Sequence, residues 1–395
     1  MRVDVIIIGA GAAGLMAAIR AGQRGRKVVL IDHADEVGKK ILISGGGRCN
    51  FTNRDIAPDR YLSNNPHFCK SALKSYTQHD FIALVDKHKI AHHEKTLGQL
   101  FCDGSAREIV AMLVTECAAV GVDIRLGQTV SAITKPDIFH VQTNTGTIES
   151  TAVILATGGL SIPKMGASGF AYQVAERFGL PVTATRPALV PLTFEDKTLD
   201  LMRPLSGVSL EVVARHGKQS FREAMVFTHR GLSGPAILQI SSYITSNQAI
   251  TLDLLPDDDA AAFLLDRKQT RPKAELKTIL GEVLPQRLAH SLTATYLANA
   301  PHSVTTMGAL SGKQITEAAT LLKAWSVTPT GTEGYAKAEV TLGGVNTDAL
   351  SSKTMESRAV SGLYVVGEAV DVTGWLGGYN FQWAWSSGWA AGSAV

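Results

Sequence analysis

The chain has 395 residues, 45% of them hydrophobic, with 37 glycines and a formal net charge of +3. That length suits two or three structural units sharing one ligand, and the composition excludes a disordered chain. The mild positive charge permits an anionic partner without demanding one, because dedicated nucleic-acid domains usually have a pI above about 9.

No apolar stretch approaches the roughly 20 residues of a membrane span, so no membrane partner is expected. Val3–Ile8 is too short for a signal peptide and runs directly into a glycine turn. Cys49, Cys69, Cys102 and Cys117 form neither a Cys-x-x-Cys pair nor a Cys/His metal spacing. Free thiols in a cytoplasmic protein without a metal are therefore expected.

In chain order, Val5–Ile8 reads as a strand buried on both faces. Gly9-Ala10-Gly11-Ala12-Ala13-Gly14 then leads into an Ala/Leu/Met-rich helix over Leu15–Ala21. A second apolar run, Val28–Ile31, ends on Asp32. Gly9 makes the tight turn, Gly11 lets backbone approach a pyrophosphate, and Gly14 allows close helix-on-strand packing. The helix N-terminus offers free N–H groups to phosphates, and Asp32 can accept ribose hydroxyls. Strand, turn, helix, strand and acid in this order predict a dinucleotide site.

The segment from Gly38 to Asn53 comes next, with Gly45, Gly46 and Gly47 in succession. Three glycines bury no side chain and cost backbone entropy, so they suit a backbone pressed against a flat or anionic ligand. Lys39, Lys40 and Arg48 add positive charge beside it. Lys70, Lys74, Lys87 and Lys89 read as a solvated face, with phosphate contacts as the alternative. The adjacent His92 and His93 point to different sides of a helix or strand, and no ligand pair at i, i+4 follows, which disfavours metal ligation.

Val153-Ile154-Leu155-Ala156-Thr157-Gly158-Gly159 is another buried strand ending in small residues, and a helix is expected near Ala171–Phe178. From Leu189 to Gly334 the character changes. Val208–Val213 and Ile250–Leu254 read as antiparallel strands. Ala260–Asp266, Leu276–Leu284 and Ile315–Trp325 read as helices. Between them, His229-Arg230 stands beside Gly231 in a turn, either to bind a polar or anionic substrate group or simply to shape that turn.

The expected organisation is thus residues 1–188 as the first part of a cofactor domain, 189–334 as an inserted substrate or cap domain, and 335–395 as the second part. Gly362-Leu363-Tyr364-Val365-Val366-Gly367-Glu368 completes the cofactor sheet. No second glycine fingerprint appears, so a nicotinamide would bind only transiently.

These segments together resemble the two-dinucleotide-binding-domain flavoproteins. Ser44–Asn50, Phe227–Pro235, Val340–Val345 and Gly377–Gln382, in this order, narrow the resemblance to the BaiN-like, aminoacetone-oxidase-like flavoprotein family. Leu97–Asp103 and Gly374–Trp385 look closest to its gamma-proteobacterial branch, which includes a flavoenzyme that makes dihydrouridine in large-subunit ribosomal RNA.

The resemblance implies an α/β fold: a Rossmann-like FAD-binding domain with an inserted β-barrel-like and helical domain. It implies FAD, held by Gly9, Gly11, Ala12, Ala13, Gly14, Asp32, Lys39, Lys40, Gly46, Gly47, Arg48, Val130, Ala156, Thr157, Gly158, Gly367, Glu368, Gly378, Tyr379 and Asn380. Gly367 and Glu368 take the ribityl contact. The glycines before Asn380 would aim a helix N-terminus at the flavin pyrimidine carbonyls, with the nearby tryptophans packing that helix.

The expected activity is reduction of a uridine in 23S-type ribosomal RNA by NADH or NADPH. The alternatives are a small-molecule amine oxidase or C=C reductase, or a flavin-binding scaffold. Candidate catalytic residues are His229, Arg230 and Cys49. The Cys49 thiol is either a proton donor beside the flavin or a small packing residue.

Overall fold

The computed structural model describes residues 1–245, 247–297 and 306–395. The chain divides into two compact units: Met1–Pro187 with Glu339–Val395, and Ala188–Ala338.

The first unit opens with β1 (Arg2–Ile8), α1 (Ala12–Gln23) and β2 (Val28–Ile31). The glycine-rich segment forms the short helix α2 (Lys39–Ile43) and a tight turn, then β3 (Asn50–Asn53). Next come β4 (His92–Glu94), β5 (Gln99–Cys102), α3 (Ala106–Ala119), β6 (Asp123–Arg125) and β7 (Val130–Thr134). This part closes with β8 (Phe139–Thr143), β9 (Gly146–Leu155) and α4 (Phe170–Arg177).

The main sheet runs β6-β2-β1-β9-β8-β7. β1 lies between β2 and β9, parallel to both, and Val5–Ile8 are almost fully enclosed, as an unbroken apolar run requires. β9 changes character along its length. Gly146–Ser150 pair antiparallel with β8 and include solvent-facing positions, whereas Ala152–Leu155 are buried throughout. α3 is started by a reciprocal cap between Ser105 and Glu108. β3, β5 and β4 form a separate small antiparallel sheet.

The second unit carries β10 (Leu192–Thr193), β11 (Ser209–His216), β12 (Gln219–Thr228), β13 (Gly231–Ser233), α5 (Pro235–Ser241) and β14 (Ile250–Asp253). It continues with α6 (Ala260–Thr270), α7 (Leu276–Leu280), α8 (Gln286–Leu297), α9 (Gly312–Lys323), β15 (Trp325–Val327) and β16 (Gly331–Thr332). Its seven strands pair antiparallel in the order β15-β14-β11-β12-β13-β10-β16.

Two sequence-based bounds shift here. Trp325 leaves the helix because it pairs with Leu252 as the first residue of β15. Regular helix after Leu276 stops at Leu280, where Gly281 comes next. Tyr335 to Ala338 stay in this unit, in a turn where Gly334 O accepts from the N–H groups of Lys337 and Ala338.

The chain re-enters the first unit with β17 (Val340–Leu342) and β18 (Leu363–Val365) and ends in α10 (Tyr379–Ala394). β18 adds to β9 in parallel. α10 packs backbone-close on α1: a Cβ on Gly388 would stand 2.3 Å from Ala13 O, and one on Gly392 would stand 2.5 Å from Ala17 O. Trp383 and Trp385 are buried, and their indole N–H groups donate to Gly367 O and Phe51 O at 2.9 Å each.

Candidate functional site

The β1–α1 turn holds its shape because no side chain fits at Gly9 or Gly14. A Cβ on Gly9, whose φ is +109°, would stand 2.4 Å from Ala156 O, and one on Gly14 would stand 1.9 Å from Gly9 O. Gly11 has nothing within 4 Å on its Cβ side and leaves an open face. It is also the N-cap of α1, with no side-chain cap and no acid in the first turn. The leading N–H groups at Ala12 and Ala13 are thus left for an anion.

Asp32 is fixed from two sides. Ala10 N donates to its Oδ2 at 2.6 Å and Ala34 N to its Oδ1 at 2.8 Å. Each carboxylate oxygen can accept a further hydrogen bond, so the group remains a competent ribose acceptor. The chain before Val130 runs beside it, with Gln128 N donating to Asp32 O at 2.9 Å. Val130 itself is half-buried at the start of β7. The Oε1 atom of Gln128 is buried without a hydrogen-bond partner, and so is Oγ1 of Thr157, one residue beyond Ala156 and beside Gly158.

In the glycine-rich turn, Gly45, Gly46 and Gly47 all adopt left-handed φ values of +56°, +66° and +84°. Gly46 faces open space, and the Arg48 guanidinium has no hydrogen bond or ion pair among the described residues. The two lysines separate: Lys39 pairs with Asp35 at 2.6 Å, whereas Lys40 pairs with Glu368 at 2.5 Å.

Glu368 is the most heavily bonded acid of the site. Ser161 Oγ and Thr341 N donate to its Oε1 at 2.7 and 2.9 Å, and Lys40 also reaches Ser161 at 2.7 Å. Burial alone would raise this carboxyl. The Lys40 charge and the three hydrogen bonds outweigh that effect and hold it below the ordinary carboxylate value. A Cβ on the preceding Gly367 would meet Ala13 Cβ at 2.9 Å, so the Glu368 corner touches the start of α1.

At the start of α10, Gly378 presses on the Thr52 backbone, where a Cβ would stand 2.4 Å from the carbonyl. The Asn380 amide is used locally: its oxygen accepts from Gly374 N, and its nitrogen donates to Gly374 O and Trp375 O. Tyr379 is buried, with its carbonyl bonded by Tyr61 Oη at 3.0 Å. Both residues therefore shape the Gly374–Gly378 loop.

Cys49 is fully enclosed, with no exposed surface. Burial pushes its thiol up and keeps it protonated. A thiol with no open surface cannot touch a ligand, so this geometry favours the packing role over proton donation. His92 and His93 are engaged locally, with Ile90 O and Asp103 respectively, and no metal-binding cluster is present among the described residues.

His229 and Arg230 lie in the second unit at the β12–β13 corner, where Thr228 Oγ1 accepts from the N–H groups of Arg230 and Gly231. Arg230 stands 3.8 Å from Glu333, and both His229 and Arg230 are exposed.

The residues of the first unit fit FAD. An open helix N-terminus, a positioned carboxylate, glycines facing open space and two orphaned buried acceptors are what a bound dinucleotide would complete. Gln128, Ser161 and Thr341 belong to this set and were missed in the sequence. Thr341 alone carried a signal, inside the Val-Thr-Leu-Gly-Gly-Val motif.

The family model described as HI0933-like protein Rossmann domain matches residues 3–394. The chain is 52% identical to the "Ribosomal RNA dihydrouridine synthase" of Escherichia coli (strain K12), covering 98% of this chain and 97% of that protein. It is 47% identical to the protein of the same name from Haemophilus influenzae, covering 99% and 98%. A solved structure of 3-ketosteroid-delta4-(5alpha)-dehydrogenase from Rhodococcus jostii RHA1 matches 100% of this chain and 96% of its own. Its TM-score is 0.52 at 16% identity, a likeness of fold alone.

Proposed function

The chain belongs to the HI0933-like Rossmann family, and from that premise we propose that it reduces a uridine of large-subunit (23S) ribosomal RNA to dihydrouridine, with FAD in the first unit and NADH or NADPH as reductant. The observation that carries this reading is near-full-length identity of about one half to two proteins named as ribosomal RNA dihydrouridine synthases. When bound, FAD supplies two-electron hydride chemistry, and the protein supplies position and proton management.

The residues divide that work. The Gly9–Gly14 turn and the N-terminus of α1 would hold the pyrophosphate, and Asp32 the adenosine ribose. Gly367, Glu368 and Lys40 would face the ribityl chain. Arg48, unpaired beside the glycine turn, is the proposed contact for an anionic substrate in the first unit, and the exposed His229-Arg230 corner is a separate candidate in the second. One glycine fingerprint serves one resident dinucleotide, which leaves the nicotinamide a transient visitor. A base can enter a flavin cleft only when unstacked, so protein-free or partly assembled RNA in the cytoplasm is the favoured substrate form.

Mass spectrometry of ribosomal RNA from a strain lacking the gene tests this reading. Dihydrouridine should disappear from large-subunit RNA and return with the gene. An unchanged level would return the small-molecule reductase and oxidase readings to the front.

A further inference from the structure

Reducing the C5=C6 bond of a uracil ring places hydride on C6 and requires a proton at C5, next to the C4 carbonyl. With the Cys49 thiol enclosed, that proton needs an acid with an open surface beside the cofactor-binding residues. Glu339 meets this requirement. It lies in the bend immediately before β17 and is exposed, with no hydrogen bond or ion pair among the described residues. Its place is fixed by the anchoring of β17. Thr341, two residues on, donates its N–H to Glu368 at 2.9 Å, and its Oγ1 accepts from the N–H groups of Leu160 and Ser161. Two peptide units span at most about 7.6 Å between Cα atoms, so Glu339 stands beside the Lys40–Glu368 pair.

Resting on the dihydrouridine reading, we infer that Glu339 is the acid that delivers a proton to C5 of the substrate uracil. The step balances. Two electrons and one hydrogen nucleus reach C6 as hydride, drawn ultimately from the nicotinamide reductant. One proton passes from the Glu339 carboxyl to C5, closing the new C–H bond and leaving a carboxylate. Solvent returns the proton to the exposed carboxyl.

The surroundings suit this cycle. Partial desolvation raises the Glu339 carboxyl above its ordinary value, while Lys40 pulls in the opposite sense and stabilises the carboxylate left after transfer. The charge that acts on it is Lys40 on α2, itself paired with Glu368 after β18, and the strand packed against β17, Arg186–Ala188, carries half-buried Arg186. Glu368 is fully engaged by Lys40, Ser161 and Thr341, which leaves Glu339 as the acid of this cluster with an unbonded carboxyl.

Holoenzyme carrying Glu339→Gln or Glu339→Asp, with an unmodified large-subunit ribosomal RNA transcript as substrate, tests the role. Glu339→Gln should bind FAD and accept electrons from NAD(P)H as the wild type does, yet form dihydrouridine about 100-fold more slowly or worse. The wild-type rate should fall as pH rises through the carboxyl's titration, and Glu339→Gln should lose that limb. Glu339→Asp should restore part of the rate and the limb. Infrared difference titration of wild type against Glu339→Gln should show a protonated carboxyl band persisting above the ordinary glutamate range.

Glu339→Gln that matches wild type in rate and pH profile overturns the role while the dihydrouridine reading stands. A wild-type protein that makes no dihydrouridine in the transcript overturns that reading and this role with it.

Discussion

Asp32 takes its hydrogen bonds from two backbone amides, Ala10 and Ala34, within 22 and 2 residues of it. Glu368 takes its bonds from Lys40, Ser161 and the Thr341 amide, separated from it by 328, 207 and 27 positions. One carboxylate is positioned by a local turn that needs only glycines and a strand end. The other is positioned by two side chains and one backbone amide gathered from three distant segments. Two carboxylates of one candidate site can therefore be robust to sequence change in very different degrees. The backbone-held acid tolerates any neighbour that keeps the turn, whereas the side-chain-held acid depends on particular partners.

The largest expected effect breaks the local end. Gly14→Val would drive a branched side chain against Gly9 O, where even a Cβ stands at 1.9 Å. Because backbone rather than a flexible side chain must yield, the cost should reach about 3 kcal/mol or more. Flavin content after purification and thermal melting should both fall sharply. A yellow Gly14→Val protein with an unchanged melting temperature would show that close packing at this turn does not constrain the site.

Next in size is Asp32→Ala, which removes the ribose acceptor while the backbone amides of Ala10 and Ala34 return to solvent. Loss of a charge-assisted hydrogen bond should weaken FAD binding by about 1.5–3 kcal/mol without preventing folding. Fluorescence titration of apoprotein with FAD measures this, and equal affinity would remove Asp32 from the cofactor set.

Lys40→Met probes the long-range end and should act through pH. The Glu368 carboxyl sits below its ordinary value in the folded protein, so its ionised form contributes stability that is present above the unfolded value. That stability is lost as pH falls through the depressed folded value. Without Lys40, desolvation is opposed only by Ser161 and Thr341, and the loss should begin at higher pH. The lysine side chain is 38% exposed, so solvent screening keeps the effect to about 1 kcal/mol. Melting temperatures from pH 7 to 3 should diverge between the two proteins below pH 6. Parallel curves would show that Lys40 does not set the Glu368 charge.

The same contrast explains what could be read in the sequence. Strand, turn, helix and Asp32 lie within 32 contiguous residues, so the fingerprint is legible locally, although the close approach that Gly9 allows is to Ala156 O, just past a distant strand. The second unit's strands at Ser209–His216 and Ile250–Asp253 were legible by alternation. Lys39 and Lys40 looked equivalent as loop cations, but neighbours in sequence point apart, and only the folded chain brings Glu368 to one of them. Asn380 looked like a ligand group because it comes after two glycines. Its amide instead locks the loop carbonyls of Gly374 and Trp375, a pairing that no spacing rule announces. Trp325 read as the end of a helix until its pairing with Leu252 made it a strand residue.

The smallest expected effect on cofactor binding and turnover is at Cys49. It has a positive φ of 49° and no exposed surface, and it follows the three glycines with Arg48 between. Its N–H donates to Ser44 O at 3.1 Å, so the backbone at this position helps to close the turn. The side chain points away from any ligand surface, and its buried thiol stays protonated because burial pushes it up. Cys49→Ser keeps the volume nearly constant and puts a hydroxyl where the thiol was. Stability should drop by about 1–3 kcal/mol if that hydroxyl finds no partner. FAD content, the rate of flavin reduction and the rate of dihydrouridine formation should all match wild type below the melting transition. A selective loss of product formation, with flavin binding and reduction intact, would instead require the turn to open during turnover and expose the thiol to the substrate.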